Sequence, residues 1–238
     1  MRFNAVLFDF GDTLVQIKEG IHADLLKSLH KSLTLNGINI PLEELKEAYF
    51  NVRRRQHEII RKTLREIDFR HRVSEILSCF GYTFKLDDKI IIDACEAFFK
   101  PFIDTTIVVK SARMTLQKLK QEYKLGAVSD FLYPPVLRKM FQKFKLAGYF
   151  EAIVISGEVG WRKPHPAIFQ TALKLLEVGP QETIFVGDSI RRDIVPAKKL
   201  GMRAILIDPH GKALVNELPE DKRPDIVVSK LEDTLRVL

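Results

Sequence analysis

The chain has 238 residues, 46% hydrophobic and 29% charged, with a net charge of +7; it can bury a full core as one large domain or a domain with a substantial insertion, and its basic balance favours anionic partners. Its two cysteines, Cys79 and Cys95, form no CxxC pair, which argues against a disulfide framework or a zinc knuckle. No apolar run approaches the roughly 18 residues of a spanning helix, so a soluble, cytoplasmic protein is expected.

The first element is a short apolar strand at 4–8, within "AVLFDFGDTLV", cut off by two carboxylates, Asp9 and Asp12, with Gly11 between them. An unpaired charge at the end of an apolar run is costly, so Asp9 needs a reason to be there. From about 19 to 104 the rhythm is helical. Ile21, Leu25, Leu26, Leu29 and Leu33 share one face. Pro41 fits the first turn of a long helix whose stripe runs from Leu45 through Tyr49, Val52, Ile59 and Ile60 to Leu64 and Ile67. Two more helices are predicted over 70–80 and 87–103. Residues 51–72 carry eight Arg/Lys against three Asp/Glu. Acids interleave at i,i+4 (Arg54–Glu58, Glu58–Lys62, Lys62–Glu66), the pattern of a solvated face. Aromatics for base stacking are sparse there, which weighs against nucleic acid. His57 and His71 read as surface or capping residues, and Phe98, Phe99 and Phe102 as core.

After residue 105 helices and short continuous apolar strands alternate. Helices are predicted over 111–123, 134–145, 166–177 and 191–200. Strands are predicted over 124–129, 151–156, 183–187 and 203–208, with an edge strand at 225–229. This alternation is that of a parallel α/β sheet covered on both faces. The lone strand at 4–8 most simply joins that sheet. The expected organisation is therefore a core of 1–15 and 106–238 with an all-helical insertion at 16–105.

Polar residues follow the strands. The first ends in Asp9, Gly11, Asp12 and Thr13, and the second in Ser129 and Asp130. The third leads to "SGEVGWRKPHP" with Lys163, and the fourth to "GDSIRRD" with Asp188 and Asp193. Ligands bind beyond the carboxyl ends of such strands. Two acids from separate strands suit a hard cation such as Mg²⁺. A hydroxyl, an ammonium and loop amides suit a phosphate, and one acid near both can act as a nucleophile. Taken singly, each is as well explained as a turn, a cap or an exposed lysine; the case rests on their joint order.

"DFGDT", "VSD", "GWRKPHPAIF" and "GDSIRRD" together resemble the haloacid dehalogenase superfamily, in the branch with a helical cap after the first strand. The resemblance covers nearly the whole chain. It implies a Rossmann-like core, a mobile cap and a Mg²⁺-dependent phosphatase acting on a small phosphorylated substrate through a phosphoaspartate. Carried over, it makes Asp9 the nucleophile and a metal ligand. Ser129 and Lys163 hold phosphoryl oxygens, Asp188 binds Mg²⁺, Gly11 offers its carbonyl to the metal, and Asp193 orients Lys163 or a metal-bound water. The sequence departs from the family at Gly11, where phosphatases place a second Asp as general acid. Asp12 is a poor substitute, because neighbouring positions on an extended backbone point opposite ways; a structural role for it is favoured. Thr13 is taken as a supporting residue, and Asp130, where many relatives have Asn, as a lesser departure. Trp161 is read either as a substrate-stacking ring or as packing. The alternatives are a 2-haloacid dehalogenase, a phosphonatase-like hydrolase, and a non-catalytic phosphate-binding or regulatory protein. The retained Asp188 and Asp193 weigh against the dehalogenase.

Overall fold

A computed structural model of the chain describes residues 3–18, 20–211, 213 and 215–238. Six strands form one parallel sheet: β1 (Ala5–Phe8), β4 (Lys124–Ser129), β5 (Ala152–Ile155), β6 (Thr183–Gly187), β7 (Arg203–Ile207) and β8 (Ile226–Val228), in the order β5-β4-β1-β6-β7-β8. All four residues of β1 are 0% exposed. Successive side chains of a strand point to opposite faces, so both faces of the sheet are covered there. β1 lies between β4 (Ala5 opposite Lys124, Phe8 opposite Ala127) and β6 (Ala5 opposite Thr183, Phe8 opposite Val186). This register places the residues that follow β1, β4 and β6 side by side at one edge.

The helices that cover the sheet owe their position to apolar faces. In α8 (Pro166–Leu176), Ile168, Phe169, Ala172, Leu173 and Leu176 are buried, at the i, i+4, i+8 spacing of one helix face. They pack with Leu7, Val128, Val154 and Phe185. Burying a side chain such as Phe169 contributes ~1.5–3 kcal/mol. Pro166 opens the helix and the His165 ring nitrogen accepts the Ala167 N–H at 3.2 Å, capping its start.

The chain divides into two compact units. One holds the sheet and comprises the chain up to Gln16 with Ile107–Phe131 and Phe141–Leu238; the other comprises Ile17–Thr106 with Leu132–Met140. Its helices are α1 (His22–Leu35), α2 (Leu42–Thr63), α3 (Phe69–Ser78) and α4 (Lys89–Thr105). Helical periodicity predicts α6 (Pro134–Lys143) but not which core its face joins. Most of it groups with the helical unit, where the Tyr133 ring stacks on Phe99 at a centroid distance of 6.0 Å.

Several predicted boundaries change. α2 stops at Thr63, because Leu64 turns left-handed (φ 58°), so Leu64 and Ile67 leave the stripe; the buried face is Leu45, Tyr49, Val52 and Gln56. The predicted helix at 111–123 is α5 (Ala112–Leu119). The one at 191–200 is a π-type turn, Ile190–Ile194, followed by α9 (Val195–Lys199), where Pro196 withholds an N–H from the regular ladder. A two-residue ribbon, β2 (Val15–Gln16) with β3 (Ile107–Val108), and a single turn, α7 (Ser156–Val159), are too short to show a period. The basic stretch is only partly a solvated face. Arg72 is 4% exposed and donates to Gln56 at 2.9 Å; Gln56 donates to Glu75 at 2.8 Å, and Glu75 pairs with Arg55. No helix among the described residues is long and apolar enough to cross a membrane.

Candidate active site

Beyond β1 the chain turns at once: the N–H groups of Leu14 and Val15 both donate to the Phe10 carbonyl, at 2.9 and 3.2 Å. The left-handed residue of this turn is Asp12 (φ 57°), not Gly11. Aspartate tolerates that conformation better than most residues. Asp12 is exposed and lines a cavity of about 610 Å³ with Gln16, Lys110, Met114 and Lys230; Asp9, Lys163, Asp188 and Asp193 do not border it. Thr13 is 1% exposed and its hydroxyl has no hydrogen-bond partner. Gly11 is half-buried.

Three charged side chains meet behind this turn. Lys163 Nζ donates to Asp9 Oδ1 at 2.5 Å and to Asp193 Oδ1 at 2.6 Å. All three are buried, with Asp193 1% exposed. Asp193 reaches Lys163 because the π-type turn folds back over the end of β6. Its second oxygen accepts the Ser189 N–H at 3.0 Å. The approach depends on Gly187: a Cβ there would lie 2.6 Å from Asp193 Oδ2 and 2.7 Å from Cγ. Gly187→Ala is therefore expected to displace Asp193 from Lys163 and to cost ~1–3 kcal/mol of stability, as overpacking does. A thermal melt checks it; an unchanged midpoint would contradict the packing.

Ser129, 4% exposed, ends β4 beside β1. The next residue, Asp130, accepts the backbone N–H of Lys163 at 2.8 Å and has Arg162 at 3.6 Å from its other oxygen. Sequence reasoning gave this side chain a minor place, although an acid directly after a strand end was the available signal. Trp161 stacks on His165 within this loop, the ring centroids 3.8 Å apart and the planes nearly parallel.

Carboxylates outnumber cations here, and the titration behaviour follows. For Lys163, burial alone would lower the pKa, but Asp193, Asp9 and Asp130 outweigh it and hold the ammonium above its ordinary value. Asp9 is raised by burial, which the pull of Lys163 does not cancel, with Asp193 adding repulsion. Asp188 is pushed up to about 7 by burial and by the charges of Asp9 and Asp193. Ligand oxygens of Asp9, Asp188 and Asp193 lie within 4.8 Å of one another. Both oxygens of Asp193 are engaged, whereas Asp188 Oδ1 is buried without a hydrogen-bond partner. An all-oxygen, charge-rich donor set with an orphaned oxygen fits a hard divalent cation.

Residues 6–207 match the family described as haloacid dehalogenase-like hydrolase. The chain is 26% identical over 237 residues to a glyceraldehyde 3-phosphate phosphatase of Methanocaldococcus jannaschii, covering 98% of this chain and 96% of that one. It is 37% identical over 131 residues to the Pyrococcus furiosus protein of that name, a match spanning 55% of this chain and about half, 54%, of the relative. With pyrophosphatase PpaX of Bacillus mycoides it shares 27% identity over 248 residues, 100% of this chain and 98% of that one. A HAD phosphatase from Thermococcus onnurineus and a 2-haloacid dehalogenase from Pseudomonas syringae pv. Tomato both have the same fold, each with TM-score 0.69 and 24% identity over 99% of this chain and 97% of theirs.

Proposed function

This chain belongs to the haloacid dehalogenase-like hydrolase family, and from that premise we propose a Mg²⁺-dependent phosphatase that hydrolyses small phosphorylated metabolites through an aspartyl-phosphate on Asp9. The observation that carries the reading is the buried Asp9–Lys163–Asp193 cluster with the unpartnered Oδ1 of Asp188 beside it. The fold likeness alone does not separate phosphatase from dehalogenase, since both solved relatives match it equally. The full-length curated relatives are named phosphatases, and a cluster this rich in carboxylate suits a cation-assisted reaction.

In this scheme an Asp9 oxygen attacks phosphorus, the P–O bond to the leaving group breaks, and water then hydrolyses the acyl phosphate to release phosphate and free Asp9. Lys163 and the Ser129 hydroxyl hold the phosphoryl oxygens, where negative charge collects in the transition state. Asp193 holds the ammonium in place. Asp9, Asp188 and the Gly11 carbonyl would hold Mg²⁺, which supplies compensating charge to the phosphoryl group. Thr13 supports the turn, and Asp12 has a structural role. The helical unit serves as the cap that selects substrate. A cytoplasmic setting accords with two free cysteines, Cys79 and Cys95.

A metal titration tests the site. Burial and the charges of Asp9 and Asp193 push Asp188 up to about 7 in the fold, far above the usual carboxylate range of the unfolded chain. The metal-free folded state therefore holds a proton that the unfolded state has lost over that interval, and this contribution to stability disappears as pH rises through it. Mg²⁺ competes for the same oxygens, so its gain in melting temperature should be large at pH 8 and shrink towards pH 5. In Asp188→Ala both the gain and phosphatase activity should be lost. A Mg²⁺-induced gain that is unchanged in that variant contradicts the assignment.

A further inference from the structure

We propose that Asp130 is a positioning residue, whose carboxylate fixes the backbone of Lys163 and thereby the ammonium over Asp9. The proposal rests on the phosphatase reading for its kinetic consequence and on geometry alone for its structural one. Lys163 belongs to the long connection that leaves β5, far in sequence from Asp9. A lysine stem has four rotatable carbons, so contacts at the ammonium alone do not determine where the chain runs. The connection is tied instead to the exit of β4. The Phe131 N–H donates to Ser156 Oγ at 2.9 Å, the Gly157 N–H donates to the Phe131 carbonyl at 3.2 Å, and the Lys163 N–H donates to Asp130 Oδ1 at 2.8 Å. Of these three ties, the last is made to the Lys163 backbone itself.

Asp130 is suited to the task. It follows Ser129 directly, so one strand end carries both a hydroxyl for the site and the anchor for its cation. Its side chain is 5% exposed, and Arg162, the neighbour of Lys163, sits 3.6 Å from its second oxygen. That second oxygen is buried and accepts no hydrogen bond, so the carboxylate's one hydrogen bond given by the structure is the one from the Lys163 N–H. An N–H bond to a charged acceptor is shorter and stronger than a neutral one. The ammonium meets its two acids at 2.5 and 2.6 Å. A displacement of about 1 Å would break such contacts, and misplacements of that size cost about 10²-fold in rate.

Asp130→Ala removes the tie, whereas Asp130→Asn keeps an oxygen able to accept the Lys163 N–H. Two readouts separate positioning from general stability. The first is the proton–nitrogen signal of the Lys163 ammonium in lysine-labelled protein, identified by its loss in Lys163→Ala. It should shift or broaden in Asp130→Ala and persist in Asp130→Asn. The second is turnover of p-nitrophenyl phosphate with Mg²⁺, corrected for folded fraction. It should fall about 10- to 100-fold in Asp130→Ala, mainly in kcat, and recover to within a few-fold in Asp130→Asn. An unaltered ammonium signal in Asp130→Ala overturns the proposal, as does an asparagine variant that loses as much signal and rate as the alanine one. If the wild type releases no phosphate, the phosphatase reading falls, and the ammonium signal still decides the role of Asp130.

Discussion

Replacing Asp9 with asparagine is expected to lower kcat by ~10⁴-fold or more while leaving the fold intact, because an amide cannot form the acyl phosphate. Retention of the fold follows from the cluster. Asparagine keeps an oxygen that can accept from Lys163, and Lys163 keeps its bond to Asp193 at 2.6 Å. Asp9 is raised by burial in the folded protein, so its ionised form is destabilising there. A neutral side chain removes that penalty. In the absence of metal, Asp9→Asn should therefore melt no lower than the wild type at pH 8, and its advantage should shrink as the pH falls and the wild-type carboxylate takes up its proton. Loss of activity together with loss of fold would point to a structural role for Asp9. Activity within a few-fold of the wild type would remove it as nucleophile.

The second large effect concerns Gly11. With no carboxylate at that position, and Asp12 exposed on a cavity that the charged cluster does not border, the proposed mechanism has the leaving group depart without a positioned proton donor from this turn. The rate of the first step should then fall steeply as the leaving group becomes more basic. Aryl and acyl phosphates, and phosphoanhydrides, should react far faster than alkyl phosphates. Gly11→Asp should help alkyl substrates most, by up to the ~10²–10⁴ of a positioned general acid, or about 3–5 kcal/mol of barrier. The backbone permits it, since the left-handed step falls on Asp12. The comparison is the slope of log kcat/KM against leaving-group pKa in the two proteins. A shallow slope in the wild type, abolished together with activity in Asp12→Asn, would make Asp12 the acid.

The order of the strands was not legible, because pairing is non-local. The sheet itself was, because strands buried on both faces are continuous apolar runs, and β1, β4, β6 and β7 all have that form. The charged residues at strand ends were legible for the same reason: Asp9 and Asp188 interrupt apolar segments. What escaped were features without a period or with non-local causes. The β2–β3 ribbon has two residues in each strand. The left-handed stop of α2 at Leu64 carries no glycine to announce it. The turn that carries Asp193 looked like a plain helix, and its fold-back needs the space above Gly187, a non-local requirement. Arg72 sat within an apparent surface pattern, yet it is buried beside the Tyr49 and Phe69 rings at 5.8 and 5.5 Å. The bond from Lys163 to Asp130 joins residues 33 apart in sequence, a distance no local pattern spans.

The most direct measurement is product release from the purified protein, offered a panel of phosphomonoesters, acyl phosphates and pyrophosphate, and in parallel 2-haloacids, with Mg²⁺ and with a chelator. The expected result is phosphate release that requires Mg²⁺, is greatest for the least basic leaving groups and is absent in Asp9→Asn, with no halide released. Halide release that persists in chelator would contradict the phosphatase reading and make the protein a dehalogenase.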